Sequence, residues 1–178
     1  RKEAEEGSRS MNARLLALIE ALPDAVFFKD GEGRWLMTNT PAKQLFLLDQ
    51  VDWQGKTEAE LAVLQPALKE AYERCRRDDE LAWRQGKLSF FEERVVDDQD
   101  NEHIFDVRKV PLFDGAGNRE GLVIVGRDVT AERMHQRQLE RIAHYDNLTD
   151  LPNRVLLADR LHLAMVQAQR HQKPLALC

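Results

Sequence analysis

Cysteine is scarce in this 178-residue chain, and its two copies, Cys75 and Cys178, stand far apart with no metal-ligand spacing around either. That scarcity argues against a disulfide framework and for a reducing, cytoplasmic setting. Without a Cys/His cluster, it also argues against a zinc site. No apolar run approaches the roughly 20 residues a membrane span needs, and no secretory leader is visible. The chain starts Arg1-Lys2 without a Met, which leaves a membrane anchor ahead of it open. Basic excess is lacking too: 26 Lys and Arg face 31 Asp and Glu, a net charge of −5 with both signs interspersed. No sequence-wide field therefore draws in nucleic acid or anionic lipid. There is no internal repeat, and low complexity is confined to the charged opening RKEAEEGSRS, expected to be mobile or a frayed helix. What remains is 43% hydrophobic and 32% charged, the balance of a soluble globular chain. Its length allows one large domain, or one ordinary domain and part of another.

The apolar pattern begins at Met11. Met11, Leu15, Leu18 and Leu22 fall at 4-3-4 spacing, widened by Leu16 and Ile19 and ended by Pro23. This predicts an amphipathic helix that either caps its own domain or forms a dimer seam. Residues 25–29 and 34–38 flank the turn Asp30-Gly31-Glu32-Gly33 and read as a hairpin. Asn39 opens a short helix, with Pro41 near its first turn. Thr57 with Glu60 spells a capping box. A longer helix runs from Pro66 to about Trp83, with Leu68, Tyr72, Cys75 and Leu81 as apolar positions. Three strands follow, at 88–96, 103–112 and 120–126. Phe105, Val107 and Lys109 alternate with Ile104, Asp106, Arg108 and Val110 in the second, the pattern of a half-buried strand. Two strands, several helices and three strands predict an α+β fold: a five-stranded antiparallel sheet with short helices on one side.

In combination these residues resemble a PAS sensor domain over roughly residues 12–132. The likeness is carried by Leu22-Pro-Asp24, the Phe28-Lys-Asp30 hairpin, Asn39, Gly55-Lys-Thr57 and the closing Gly126-Arg-Asp-Val-Thr130. That last string is similar to the Asp-x-Thr signature with which PAS domains hand over to an output helix. The resemblance implies a sheet cupped around a pocket that many members fill with a small ligand. Trp35, Asn39 and Trp53 are the pocket candidates, although tryptophans more often anchor cores and rims. In the family, haem hangs from a His on the long helix, and residues 66–83 contain none; a flavin adduct needs an Asn-Cys pair in a short helix, and Cys75 lies in the long one. A bound flavin nucleotide stays open, and the sequence does not name the ligand. His103, beside an acidic turn, reads as a surface residue. Asp128 and Thr130 can cap the next helix whatever the family, an interaction of about 1 kcal/mol, with Glu132 favourable in its first turn. The sharper expectation is that this cap couples the sheet to the helix.

Residues 131–145 are mostly charged, with Met134, Leu139 and Ile142 as apolar points, so this helix needs a partner; a parallel two-helix coil in a homodimer supplies one. The string Asp146-Asn-Leu-Thr-Asp-Leu-Pro-Asn-Arg154 then resembles the entry of GGDEF domains, which condense two GTP into cyclic di-GMP. The resemblance implies that Asn153 contacts guanine, where plain helix capping fits equally well, and that Asp146 anchors the linker. The family's second guanine contact, often Asp, falls on His162. Residues 174–178 would be a first central strand, and Leu156-Leu-Ala-Asp-Arg-Leu161 is similar to GGDEF domains that precede an EAL phosphodiesterase domain. The family's metal-binding Asp and Gly-Gly-Asp/Glu-Glu-Phe hairpin are not among these residues. The stretch is therefore expected to be non-catalytic, with GTP and Mg belonging to a complete output domain.

The expected organisation is an N-terminal helix (1–23), a PAS domain (24–130), a signalling helix (131–145) and the start of a GGDEF domain (146–178). The leading reading is a sensory module that controls cyclic di-GMP synthesis or degradation. A ligand-free PAS dimerisation platform is the alternative. A histidine kinase sensor fits worse, since His144-Tyr-Asp146 imitates a phospho-acceptor site poorly.

Overall fold

The last strand of the sheet lies in its middle. In the computed structural model, β1 (Ala25–Asp30), β2 (Trp35–Thr38), β3 (Ser89–Val96), β4 (Glu102–Phe113) and β5 (Arg119–Asp128) are all antiparallel, in the order β2-β1-β5-β4-β3. The structure describes residues 2–96, 101–146, 148–172 and 174, and of 2–9 the backbone only. Residues 97–100 of the acidic turn at 97–101 and 175–178 of the strand expected at 174–178 lie outside the described residues.

Local chemistry explains the element ends. Asp30 Oδ1 accepts from the amides of Glu32 and Arg34 and closes the β1–β2 turn. At Gly31 a Cβ would lie 2.1 Å from the Arg119 carbonyl oxygen, so no larger residue fits without moving the backbone. Asn39 is fully buried and N-caps α2 (Thr40–Leu45), its Oδ1 accepting from Ala42 N at 3.2 Å and from Val26 N at 2.9 Å. Its amide group donates to the carbonyls of Ile19 and Asp24, so one side chain ties three segments together. The capping box of α3 (Glu58–Leu64) forms with both of its bonds present. The long helix differs from expectation at its start. Pro66–Leu68 is a 3-10 turn, and α4 proper is Lys69–Gln85, ended by Gly86 at φ +64°. Its buried face is Ala71, Tyr72, Cys75, Asp79, Ala82 and Trp83; Leu81, expected in the stripe, is exposed, and Asp79 takes the inward position.

The chain divides into two compact units, Arg1–Thr130 and Ala131–Cys178. In the first, the inner sheet face and α2–α4 enclose a core in which Phe27, Trp35, Phe46 and Tyr72 meet at centroid separations of 5.0–6.0 Å, mostly edge to face. Helix α1 (Lys2–Glu20) precedes the sheet and leaves Met11, Leu15, Leu16, Leu18 and the following Leu22 exposed.

The second unit comprises most of α5 (Thr130–His144), a tight turn and α6 (Arg154–His171), and no described residue of either helix is buried. Half-buried positions on α6 include Leu161, Ala164 and Ala168, whereas Leu157 and Met165 are exposed.

Candidate functional site

The inward positions of the sheet carry charge where a core pattern calls for apolar residues. Lys29 of β1 and Lys109 of β4 are each 1% exposed, and Glu93 of β3 is 9% exposed. The helices supply Glu58 and Asp79, also buried. Lys29 Nζ donates to Glu58 Oε1 and, at 2.5 Å, to Asp79 Oδ2; Lys109 Nζ donates to Asp79 Oδ1 at 2.7 Å. Trp35 Nε1 donates to the same Glu58 oxygen at 2.9 Å. Burial alone would drive the protons from both lysines, but the carboxylates outweigh it: Asp79 and Glu58 hold the Lys29 pKa far above its usual 10.5, and Asp79 and Glu93 raise that of Lys109. Asp79 lies below the ordinary aspartate value, because its two ammonium partners overcome its desolvation. Burial and the neighbouring Glu93 push the Cys75 thiol well up, so it is a hydrogen-bonding group here rather than a nucleophile. Its Sγ donates to Glu93 Oε2 at 3.5 Å.

The buried Glu93 Oε1 receives no hydrogen bond within this network. Lys109 Nζ stands 2.9 Å from Glu93 Oε1, close enough for charge attraction but off the direction of a hydrogen bond. A cavity of about 30 Å³ opens beside it, lined among others by Lys29, Trp35, Cys75, Glu93 and Lys109. That is space for roughly one or two waters. Next to it, sharing Ala25, Leu45, Phe105 and Gly126, lies a wider groove of about 520 Å³ whose walls include Pro41, Leu47, Leu68 and Val96 and whose polar rim holds Gln44, His103 and Asp128.

That rim is also where the sheet ends. Asp128 Oδ1 accepts from Thr130 N at 2.9 Å and from Thr130 Oγ1 at 2.5 Å, and its Oδ2 meets His103 Nδ1 at 3.1 Å. Thr130 Oγ1 in turn accepts from Ile104 N at 2.8 Å, and Val129 N donates to Ile104 O at 2.8 Å. Partial burial would raise the Asp128 pKa, but the Thr130 bonds and His103 bring it below the usual carboxylate range. His103, expected merely at the surface, is half-buried and part of this junction.

Of the pocket candidates, Trp35 lines the cavity, Asn39 serves as the buried cap, and Trp53 packs half-buried against the core. In the second unit, Asp146 Oδ1 gathers Leu148 N, Thr149 N and Thr149 Oγ1, bonds that lower its pKa. Asn153 Oδ1 caps α6 through Val155 N and Leu156 N, and its Nδ2 donates to Ala143 O at 2.8 Å. His162 is exposed. Among the described residues, no group of three or more His, Cys, Asp or Glu could hold a metal ion, and no helix is long and apolar enough to cross a membrane.

A five-stranded antiparallel sheet in this order, with its helices over one face and a small cavity between, is a sensor-domain architecture. The PAS fold model matches residues 19–134, and the chain belongs to the PAS fold family. Over 130 residues it is 30% identical to the aerobic respiration control sensor protein ArcB of Escherichia coli, covering 71% of this chain and 16% of ArcB. The signaling protein YkoW of Bacillus subtilis is 25% identical over 146 residues, covering 79% of this chain and 16% of YkoW. The chain thus spans about a sixth of the length of these curated relatives. The PAS domain of Bordetella pertussis BvgS superposes with a TM-score of 0.54 at 24% identity, covering 76% of this chain and 98% of that one. The phage VqmA–DPO complex gives 0.53 at 21%, covering 77% and 62%. These likenesses in structure concern the fold. The chain is a PAS sensory signalling domain, and these curated relatives are sensor or signalling proteins.

The sequence pattern missed the ionic network. A signal was present: Lys29 follows Phe27, and Lys109 follows Phe105 and Val107, at the spacing of inward-facing strand positions.

Proposed function

We propose that this PAS domain (24–130) controls a cyclic di-GMP synthesising or degrading output through the helix at 131–145, with residues 146–178 as the start of a GGDEF-type domain. The observation that carries the coupling is the Asp128–Thr130 junction. A single carboxylate caps the outgoing helix and holds His103 of β4, so a displacement of the sheet end changes the first turn of α5. The output class rests on the wording of 146–154, whose Asp146 turn and Asn153 cap are internally bonded. In this reading Asp146 fixes the linker to the output domain, and Asn153 exchanges a capping role for a contact with guanine when GTP binds. GTP and Mg act only in the complete output domain. The protein works in the cytoplasm as a homodimer, and the exposed apolar residues of α1 and α5 support pairing through those helices.

The test is cyclic di-GMP turnover by the full-length protein. Asp128→Ala changes that turnover several-fold while shifting the midpoint of thermal unfolding by only a few degrees. Full-length protein that neither makes nor hydrolyses cyclic di-GMP sinks the output assignment; an Asp128→Ala effect confined to unfolding sinks the coupling.

A further inference from the structure

We propose that the outer edge of β3 is a docking surface for β3 of a second copy, the two strands pairing antiparallel so that two five-stranded sheets become one. The two edges of the sheet differ. β2 has only four residues, and its edge is covered from within the chain: Trp35 N donates to Lys56 O at 2.9 Å, Gly55 N to Trp35 O at 2.7 Å and Gln54 Nε2 to Leu36 O at 3.3 Å. β3 has eight residues, no proline and no bulge against β4, and no described strand lies on its far side. Arg94 O is turned to that far side, since it accepts from Arg74 Nη2 at 2.7 Å. Backbone direction alternates along a strand, so the N–H and C=O of Phe90, Glu92 and Val96 point the same way as those of Arg94. All four side chains are exposed. Their chemistry selects the partner and the register. Two copies that use all four positions pair in one way, Phe90 opposite the partner's Val96 and Glu92 opposite the partner's Arg94, each pair occurring twice about the two-fold axis. Aromatic then meets β-branched and negative meets positive, the favourable cross-strand combinations. A slip of two residues either way sets Glu92 against Glu92 or Arg94 against Arg94. A foreign strand need not carry this pattern, whereas a second copy always does. Arg94 already meets Glu92 and Glu102 of its own chain at 3.6 and 3.3 Å, so exposed ion pairs are exchanged, and they set register more than affinity. Arg94 O can keep Arg74 and accept an incoming N–H, because a carbonyl has two lone pairs. At the axis each Glu93 stays turned inward beside its own Lys109.

This contact is separate from pairing through α1 and α5, and one experiment distinguishes the two. The purified chain is followed by residue-resolved amide exchange and by sedimentation over a wide range of concentration. At high concentration the amides of Phe90, Glu92, Arg94 and Val96 exchange at least tenfold more slowly than at low concentration, whereas those of Phe91 and Glu93, which face β4, are slow throughout. Glu92→Arg and Arg94→Glu each abolish that dependence by opposing like charges twice, and the double variant Glu92→Arg/Arg94→Glu restores it. Association without added protection at the four amides is pairing through the helices alone; it overturns the proposal and leaves the homodimer reading intact. Absence of any association up to millimolar concentration overturns both. A folded double variant as defective as the single ones also overturns the docking proposal, and the exchange pattern of the unaltered chain decides even where a variant fails to fold.

Discussion

The two compact units solve the problem of apolar surface in opposite ways. Residues 1–130 bury an aromatic cluster and, beside it, five titratable side chains with most of their bonds made. Residues 131–178 expose Met134, Leu139, Ile142, Leu148, Leu151, Leu163 and Val166, and their order is local: Asp146 folds its own turn, and Asn153 its own cap. The first unit has the interior of a domain that folds alone; the second leaves its apolar residues on the surface.

This contrast can be broken most severely at Asp79. Asp79→Ala leaves two buried ammonium groups short of a partner and costs about 3–5 kcal/mol. Urea unfolding of the first unit, followed by tryptophan fluorescence, should show that loss while the helical signal of the second unit persists. Trp35→Ala removes a buried ring and the donor to Glu58, an expected cost of about 3–5 kcal/mol. An effect below about 1 kcal/mol for either variant would mean that the core repacks freely and the contrast is false.

The pH profile sharpens the comparison further. The Asp79 pKa is depressed on folding, so its contribution is present above 3.8 and fades as pH falls through its folded value. Lys29 is raised, so its contribution is full below 10.5 and fades only at still higher pH. Stability of the first unit should therefore be level from above 3.8 up to about 9, the ordinary value of the Cys75 thiol that burial raises on folding, with an acid limb that flattens in Asp79→Asn. A decline already under way between pH 6 and 9 would contradict this assignment. Smallest of all is Asn153→Ala. It removes the α6 cap, costs about 1 kcal/mol of local helix stability, and leaves unfolding of the first unit unchanged. Amide exchange along α6 is the measurement, and a change in Asp79-dependent unfolding would disprove the independence of the two units.

Much of the architecture was legible because it is written locally. The hairpin turn needs Asp30 and Gly31, the caps need Asn39 and Thr57, and the three closing strands show their period of two. The number of strands, their succession along the chain and the PAS resemblance followed from such signals. The ionic network did not, because its partners are remote in sequence: Lys29 meets Glu58 29 positions away and Asp79 50 positions away. A charged residue in a strand looks solvent-facing until the helix that neutralises it is known. Asp79 misled in the same way, holding an inward place on α4 that Leu81 seemed to claim. The Asp128–Thr130 cap was readable as a cap, but His103 joined it only through strand pairing.

The position of β5 has a consequence for how the protein is made. β1 pairs with β5 from Ala25–Gly126 to Asp30–Gly121, so the first strand waits for a partner roughly a hundred residues later in synthesis. Until that partner leaves the ribosome, the sheet is two separate hairpins with exposed edges, and Lys29 lacks the frame that holds it against Asp79. The domain therefore becomes stable only as its own exit strand emerges, and a nascent chain arrested before Gly121 is a target for chaperones and proteases rather than a partial sensor.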